Sequence, residues 1–343
     1  MKILVTGATG FVGSHLAALL AQRGDTVFCL ARRPEQAAFI ASLGAFVAPG
    51  SLEDGDSLAQ ALRGVDQVYH LAGLTAAGSE REFLDVNEGG TSRLLGAIGA
   101  AVPNLKRFVH VSSIAAVGPT GHGGLLAEDS PCRPLTAYGR SKLAGEAVVR
   151  RAAALPWTIV RPPVVYGPRD RELLRLFRIA RRGFAPVFGM GRQELSLVYV
   201  TDLVEGIAAA GREPAALGQT YHLAHPEIVR SRDLARAIGR AVRGGRAPLI
   251  IPVPAALAAP IVRVIGRAAL QNPDLKLPDD YDRIGLWVEM ETRDGSKRRI
   301  FFLPGIGEAE SQVLKGGQWV AVNRLVSRGF TDAPTVKTDE KVP

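Results

Sequence analysis

The amino-acid order predicts an α/β protein: a doubly wound parallel sheet with helices on both faces and a smaller C-terminal substrate lobe. Three observations predict it. Short apolar runs without polar alternation recur through the first 245 or so residues, separated by stretches with helical apolar spacing. Strands of that kind are buried on both faces, as parallel sheets are. Gly24, Gly44, Gly50 and Gly64 mark the joints between runs. The first joint, Gly7-Ala8-Thr9-Gly10-Phe11-Val12-Gly13, sets three glycines between a strand and a helix.

Taken in order, residues 2–6 read as a buried strand and 13–23 as a helix with Leu16, Leu19 and Leu20 on one face. Strands at 26–31, 45–48 and 67–71 alternate with helices at 35–43 and 56–63. A long helix over 81–100 leads to a strand at 107–112, and a Gly- and Pro-rich loop, 118–134, precedes the helix carrying Tyr138 and Lys142. Beyond residue 156 the alternation loosens: strands at 157–160, 196–200 and 220–223, helices at 171–182, 202–210 and 232–243. Substrate-specific parts belong in this half, outside the carboxyl ends of the strands.

The tail changes character. Residues 286–291 alternate apolar and polar, Asp294-Gly295 offers a hairpin turn, and 299–303 and 318–325 read as further strands. The expected organisation is one domain over 1–273, its substrate lobe mainly 168–195 and 225–273, then a small β-rich extension over 274–330. A polar, disordered end follows at 331–343.

The net charge is +9, yet the basic residues are scattered, often as pairs such as Arg150-Arg151 and Arg181-Arg182, without aromatic interleaving or a base-reading motif. That excludes nucleic acid as the expected partner and suits an anionic cofactor or a membrane surface. The most apolar stretch, 248–270, is broken by Pro252, Pro254, Pro260, Arg263 and Arg267, so it does not span a membrane; as an apolar and basic surface helix it leaves peripheral membrane contact open. Cys29 and Cys132 read as reduced thiols, and Met1-Lys2 leads straight into a strand with no signal peptide, so a cytoplasmic location is expected. No metal site is expected.

The glycine turn carries a specific chemistry. Gly7 permits a tight turn, Gly10 lets the backbone approach a pyrophosphate, and Gly13 lets helix and strand pack closely, while the amides of the helix start face the anion. The second strand ends Leu30-Ala31-Arg32-Arg33-Pro34 with no acid to accept from ribose hydroxyls. Arg32 there favours the 2′-phosphate of NADP over NAD. Tyr138 and Lys142 lie at i and i+4 on one helix face, where an ammonium lowers the pKa of a phenol, and Ser112-Ser113 ends a strand earlier in the chain. Together these point to hydride transfer with a nicotinamide cofactor.

The turn Thr6-Gly7 to Gly13 resembles that of the short-chain dehydrogenase/reductase superfamily, and its Gly-Phe-Val-Gly form that of the extended, NAD-dependent epimerase/dehydratase-like branch. Gly50-Ser51-Leu52 stands where the branch has Gly-Asp-Leu beside the adenine, so Ser51 departs from it. His70-Leu71-Ala72-Gly73 and Val86-Asn87-Glu88-Gly89-Gly90-Thr91 resemble two further segments, His70 reading as a packed strand residue. The resemblance implies a Rossmann fold with Tyr138 as acid/base, Lys142 also holding the nicotinamide ribose, and Ser113, the last serine of its run, bonding the substrate oxygen. The implied cofactor contacts are Gly7, Thr9, Gly10, Phe11, Val12, Arg32, Ser51, Leu52, Leu71, Ala72, Gly73, Tyr138, Lys142, Pro162 and Val164. A homodimer through a helix pair is a family expectation.

Nucleotide-sugar members place an Asn where this chain has Val164 and an Arg where it has Leu195, and a buried diphosphate needs such partners. Arg192, Arg169 or Arg171 could substitute. The segment from Leu195 to Asp202 looks more like 3β-hydroxysteroid dehydrogenase and dihydroflavonol reductase-like members, with Phe184, Val187, Phe188 and Met190 expected to line an apolar pocket. The leading expectation is an NADP-dependent oxidoreductase interconverting a secondary alcohol and a ketone on an apolar small molecule. The alternatives are a nucleotide-sugar epimerase or dehydratase with tightly bound NAD(P), and a non-catalytic NADP-binding protein.

Overall fold

The computed structural model describes residues 1–120, 124–254, 286–291, 297–302, 309–315 and 318–325. Strands β1 (Lys2–Thr6), β2 (Thr26–Ala31), β3 (Phe46–Pro49), β4 (Gln67–His70), β5 (Arg107–Val111) and β6 (Trp157–Arg161) enter a parallel seven-stranded sheet. Its last member is β10 (Thr220–His222), after β7 (Val164–Tyr166), β8 (Phe184–Phe188) and β9 (Glu194–Tyr199), and the order is β10-β6-β5-β4-β1-β2-β3. The order reverses at β1, so a crevice opens beyond the carboxyl ends of β1 and β4.

Helices α1 (Phe11–Gln22), α2 (Ala38–Ser42), α3 (Gly55–Ala61), α4 (Glu80–Leu84), α5 (Gly90–Ala101), α6 (Ala137–Arg151), α7 (Arg171–Arg181), α8 (Val200–Arg212) and α9 (Ser231–Val242) complete the first 254 residues. Successive β1 side chains enter different cores. Ile3 and Val5 pack with Leu16 and Leu20 of α1 and Leu203 and Ile207 of α8; Leu4 packs with Leu58 of α3, Leu94 and Ile98 of α5 and Val149 of α6. Both faces are covered, which is why the strands carry no polar alternation.

Departures from the sequence reading are local. The single helix expected at 81–100 is interrupted by a π-helical turn, Asp85–Gly89, and that expected at 35–43 opens with a 3-10 turn, Pro34–Ala37. Strands β7, β8, β11 (Ile228–Arg230) and β12 (Leu249–Val253) were not expected. β11, β9 and β7 form a three-stranded sheet beside the large one, and β12 pairs in parallel with β8. β12 corrects the start of the surface helix expected at 248–270; from residue 255 that stretch lies outside the described residues. Among the described residues, no helix is long and apolar enough to cross a membrane.

In the tail, β13 (Leu286–Glu291), β14 (Lys297–Phe302), β15 (Ala309–Lys315) and β16 (Gln318–Leu325) pair antiparallel in sequence order. Three were expected within a residue or two; β15 was not. The Asp294-Gly295 turn and the end at 331–343 lie outside the described residues.

Candidate active site

The glycine turn is built by close approach. Gly7 has φ +74, and a Cβ there would stand 2.6 Å from the Ala72 amide nitrogen and 2.8 Å from the Leu71 carbonyl oxygen. A Cβ on Gly13 would stand 2.2 Å from the Gly7 carbonyl oxygen. Both positions exclude any side chain. Gly10 begins α1 with extended backbone and no side-chain cap, and Thr9 and Gly10 are exposed with Phe11 and Val12 half-buried beside them. The first-turn N–H groups of α1 have no carbonyl within the helix to bond, so this cradle fits a phosphate.

A buried polar chain ties that cradle to the helices behind it. The Ala72 amide donates to Thr6 Oγ1 (3.2 Å), Thr6 Oγ1 meets His70 Nδ1 (2.7 Å), His70 Nε2 meets Thr91 Oγ1 (3.0 Å), and Thr91 donates to the Asn87 carbonyl (2.6 Å). Each hydroxyl has one proton. Thr91 spends its own on Asn87, so His70 carries its proton on Nε2 and accepts from Thr6 at Nδ1. Burial, helped by the Lys142 charge, holds His70 neutral with its pKa pushed down to about 3.

Asn87 then reaches sideways from the π-turn. Its side chain accepts from the Leu74 amide (2.8 Å) and donates to the Leu74 carbonyl (3.1 Å) and to Ser141 Oγ (2.9 Å) on α6. A Cβ on Gly73 would come within 2.7 Å of Asn87 Oδ1. Sequence reasoning quoted Asn87 only as part of a motif and missed this role; a polar residue among small ones in a helix was the available signal.

Thr136 caps α6, its Oγ1 accepting from the Gly139 amide at 3.0 Å. A Cβ on Gly139 would meet the Ala115 carbonyl oxygen at 2.3 Å. That glycine lets the helix start press onto the loop after β5, where Ser113 lies. The Tyr138 phenol stands near enough to the Ser113 hydroxyl for that hydroxyl to influence its pKa, and Ser113 Oγ accepts from the Ala115 amide (3.2 Å). One turn along, Lys142 is buried with Nζ donating to the Val111 carbonyl at 2.8 Å. Burial pushes its pKa down to about 8, against a smaller upward pull from Glu146. The phenol departs from expectation: burial pushes Tyr138 above its usual value, and what opposes the rise is the Ser113 hydroxyl rather than the Lys142 charge.

Glu146, a further turn on, is fully buried and takes two hydrogen bonds from the buried Arg161, Nε to Oε1 at 2.8 Å and Nη2 to Oε2 at 2.7 Å. Burial works to raise its pKa, but Arg161 and neighbouring donors hold it below the usual range. The pair locks α6 to β6.

The remaining expected contacts lie around the same crevice. Arg32 is exposed just beyond β2. Ser51 Oγ accepts from the Glu53 amide (3.1 Å), so that hydroxyl serves its own turn, and Leu52 packs against Gly90. Leu71 and Ala72 face Gly7 through their backbone. The Pro162 carbonyl accepts from the Ile114 amide at 2.9 Å, which holds the Ser113 loop against the strand leading to Val164.

An open cleft of about 1410 Å³ begins beside this point. Its wall includes Ile114, Val164, Leu195 and Met190, with Arg192. The expected apolar pocket is corrected: Val187 is buried in packing, while Phe184 and Phe188 alternate with it on β8 and are nearly half exposed, outside the cleft wall. Arg169 and Arg171 are not in that wall either; Arg169 donates to His15 instead, at 3.3 Å.

Residues 3–224 match the model of the NAD dependent epimerase/dehydratase family. The chain belongs to that family. Among family relatives, the ceramide reductase of Caulobacter vibrioides is 36% identical over 62% of this chain, and the chain spans 61% of that protein's length. The 3 beta-hydroxysteroid dehydrogenase/Delta 5-->4-isomerase of Mycobacterium tuberculosis is 31% identical, with 69% of this chain and 68% of the other covered. Among solved structures, UDP-glucuronic acid 4-epimerase from Bacillus cereus, in complex with UDP-glucuronic acid and NAD, superposes with a TM-score of 0.65 at 27% identity. It covers 74% of this chain and 86% of that one. The extended short-chain dehydrogenase/reductase expectation and the parallel-sheet fold therefore hold.

Proposed function

We propose that the protein is an NADP(H)-dependent oxidoreductase that interconverts a secondary alcohol and a ketone on an apolar substrate. The observation that carries this reading is the convergence of Ser113, at the turn after β5, on Tyr138 in the first turn of α6, with Lys142 buried one turn further along that helix. A substrate oxygen placed between the Ser113 hydroxyl and the Tyr138 phenol can accept from both, and the phenol can pass it a proton as negative charge develops there. With Tyr138 held above its usual pKa and Lys142 near 8, both groups are protonated at neutral pH, the state that reduction requires. A nicotinamide seated against the crevice supplies the hydride. The glycine turn would hold its pyrophosphate, and Pro162 and Val164 would contribute to holding the nicotinamide end.

Exposed Arg32, with no acid at the end of β2, supports NADP over NAD. The relatives named for a ceramide and a 3β-hydroxysteroid support an apolar substrate. Val164 and Leu195, both in the cleft wall, support it further, since neither can serve a diphosphate.

The test is NADPH and NADH binding by fluorescence, followed by NADPH-dependent reduction of a panel of hydrophobic ketones. Tyr138→Phe is expected to lower kcat by about 10²–10⁴-fold, with NADPH affinity kept. Full turnover by that variant would refute the mechanism.

A further inference from the structure

The cleft beside the proposed site has two chemically different parts. Ile114 follows Ser113 directly, and with Leu126, Val164, Leu195 and Ile228 it gives an apolar wall. Arg192, Arg230 and Arg232 line the same cleft. Among the described residues none of these three guanidinium groups has a hydrogen bond or an ion pair. Arg161, also in the wall, is different, being committed to Glu146.

Sheet topology sets the spacing. Val164 lies on β7, next to the segment held by Ile114, while Arg230 lies on β11 at the other edge of the β11-β9-β7 sheet, opposite Glu194 on β9. Two strand spacings, about 10 Å, separate β7 from β11, and along the strands the two residues are further offset, Arg230 standing opposite Glu194 of β9 while Val164 pairs with Leu197. The Gly191 turn brings the other two arginines together: the Arg232 amide donates to the Gly191 carbonyl at 3.1 Å, and Arg192 follows Gly191 directly. Among the described residues, Glu194 is the one carboxylate residue in the wall, against three uncommitted cations.

We infer that the substrate is an anionic amphiphile, an apolar body carrying a carboxylate or phosphate that Arg192, Arg230 and Arg232 hold while its carbonyl carbon stands at Tyr138. The inference rests on the oxidoreductase reading for the second half of that statement only. Planar guanidinium groups bind oxyanions through paired N–H donors, and uncommitted ones at the rim of an open cleft, Arg192 and Arg230 exposed and Arg232 half-buried, need no existing partner displaced. An apolar wall next to the acid/base group and a cationic one two strands away match a molecule with its charge at one end.

Two measurements on the full chain test it. The first is calorimetric binding of decanoate, decyl phosphate, decanol and UDP to the wild-type protein and to the doubly substituted Arg192→Gln, Arg230→Gln protein. The two anionic chains are expected to bind at least tenfold more tightly than decanol, and the double substitution to erase that preference. Equal binding of decanol, retention of the preference in the variant, or UDP binding more tightly than decyl phosphate would each overturn the inference; comparing decanoate with decyl phosphate tells which anion is preferred. The second is NADPH-dependent reduction of a medium-chain ketoacid against its methyl ester. A kcat/KM at least tenfold higher for the acid, collapsing to parity in the double variant, is expected. Ester and acid reduced equally well would sink the anion site and leave the oxidoreductase reading standing. Anion-selective binding with no ketone reduced would do the reverse.

Discussion

His110 is almost wholly buried on β5, behind Lys142, with the His70 ring 5.4 Å away and the Phe108 ring 6.4 Å away and nearly parallel. Neither of its ring nitrogens has a hydrogen-bond partner among the described residues. Burial, reinforced by the charge of Lys142, holds its pKa well below the usual value, so it stays neutral in the folded protein. In the unfolded chain it protonates near pH 6.5. The unfolded state thus binds more protons below that pH, and stability falls as the solution is acidified towards the folded pKa. Each pH unit in that window costs about 1.4 kcal/mol for one such group, so about 2 kcal/mol is lost between pH 6.5 and pH 5.

His110→Phe removes this titration while keeping an aromatic ring in the stack. At pH 7 the variant sheds two unbonded polar atoms, worth about 1–3 kcal/mol. The slightly larger ring costs a similar amount in overpacking, so the net change is expected within about 1 kcal/mol of zero. At pH 5 the variant should be more stable than wild type by about 2 kcal/mol beyond any difference at pH 7. His70 and His15, whose pKa values are pushed down to about 3 and about 4, mainly by burial, lose stability in both proteins alike and cancel from the comparison. Urea denaturation of both proteins at pH 7 and pH 5 measures the quantity directly, with equal m-values as the check that the same surface unfolds. An unchanged pH dependence in the variant refutes the buried neutral imidazole. A loss above about 2 kcal/mol at pH 7 refutes its lack of partners.

Glu146→Ala strands the buried Arg161 and should cost about 3–5 kcal/mol, read as a lower urea midpoint; a loss under about 1 kcal/mol would mean the pair is solvated. For ketone reduction, kcat/KM should be flat from pH 6 to 7.5 and fall above about 8 as Lys142 loses its proton, whereas a profile flat to pH 10 would remove Lys142's charge from the mechanism. Arg32→Glu should weaken NADPH binding by about 10–100-fold, the worth of a charged hydrogen bond, with little change for NADH; an equal effect on both cofactors would dissociate Arg32 from the 2′-phosphate.

Legibility of the sequence followed the kind of physics involved. The strands of the large sheet were readable because both faces are buried, so Leu4 and its neighbours Ile3 and Val5 had to be apolar together. Gly7 and Gly13 were readable because their roles are steric and local. The three-residue strands β7 and β11 were not, since three residues hold no period and their partner on β9 is distant in sequence. The apolar pocket failed for a related reason: Phe184 and Phe188 are apolar, but strand alternation on β8 buries Ala185 and Val187 in their place. Spacing alone gave Tyr138 and Lys142 a shared helix face. The sign of the phenol's shift depended on burial, which spacing does not report.

The placement of the acid/base pair is decided by residues on either side of it that need not touch substrate. Ser141, next to Lys142, is held by Asn87 from the π-turn, and Glu146, one turn beyond, is held by Arg161 from β6. These two anchors approach α6 from different elements, so neither a slide nor a rotation of the helix can satisfy both at another register. Gly139 and Gly145 remove the remaining bulk, a Cβ on the second falling 3.0 Å from the Asn87 carbonyl oxygen. Asn87 is also the end of the chain that begins at Thr6 beside the glycine turn. A buried polar chain is costly when any member is unpaired. A shift of α6 therefore carries its penalty back to the strand that presents the cradle, which makes the distance between phosphate site and phenol a property of the fold rather than of either loop.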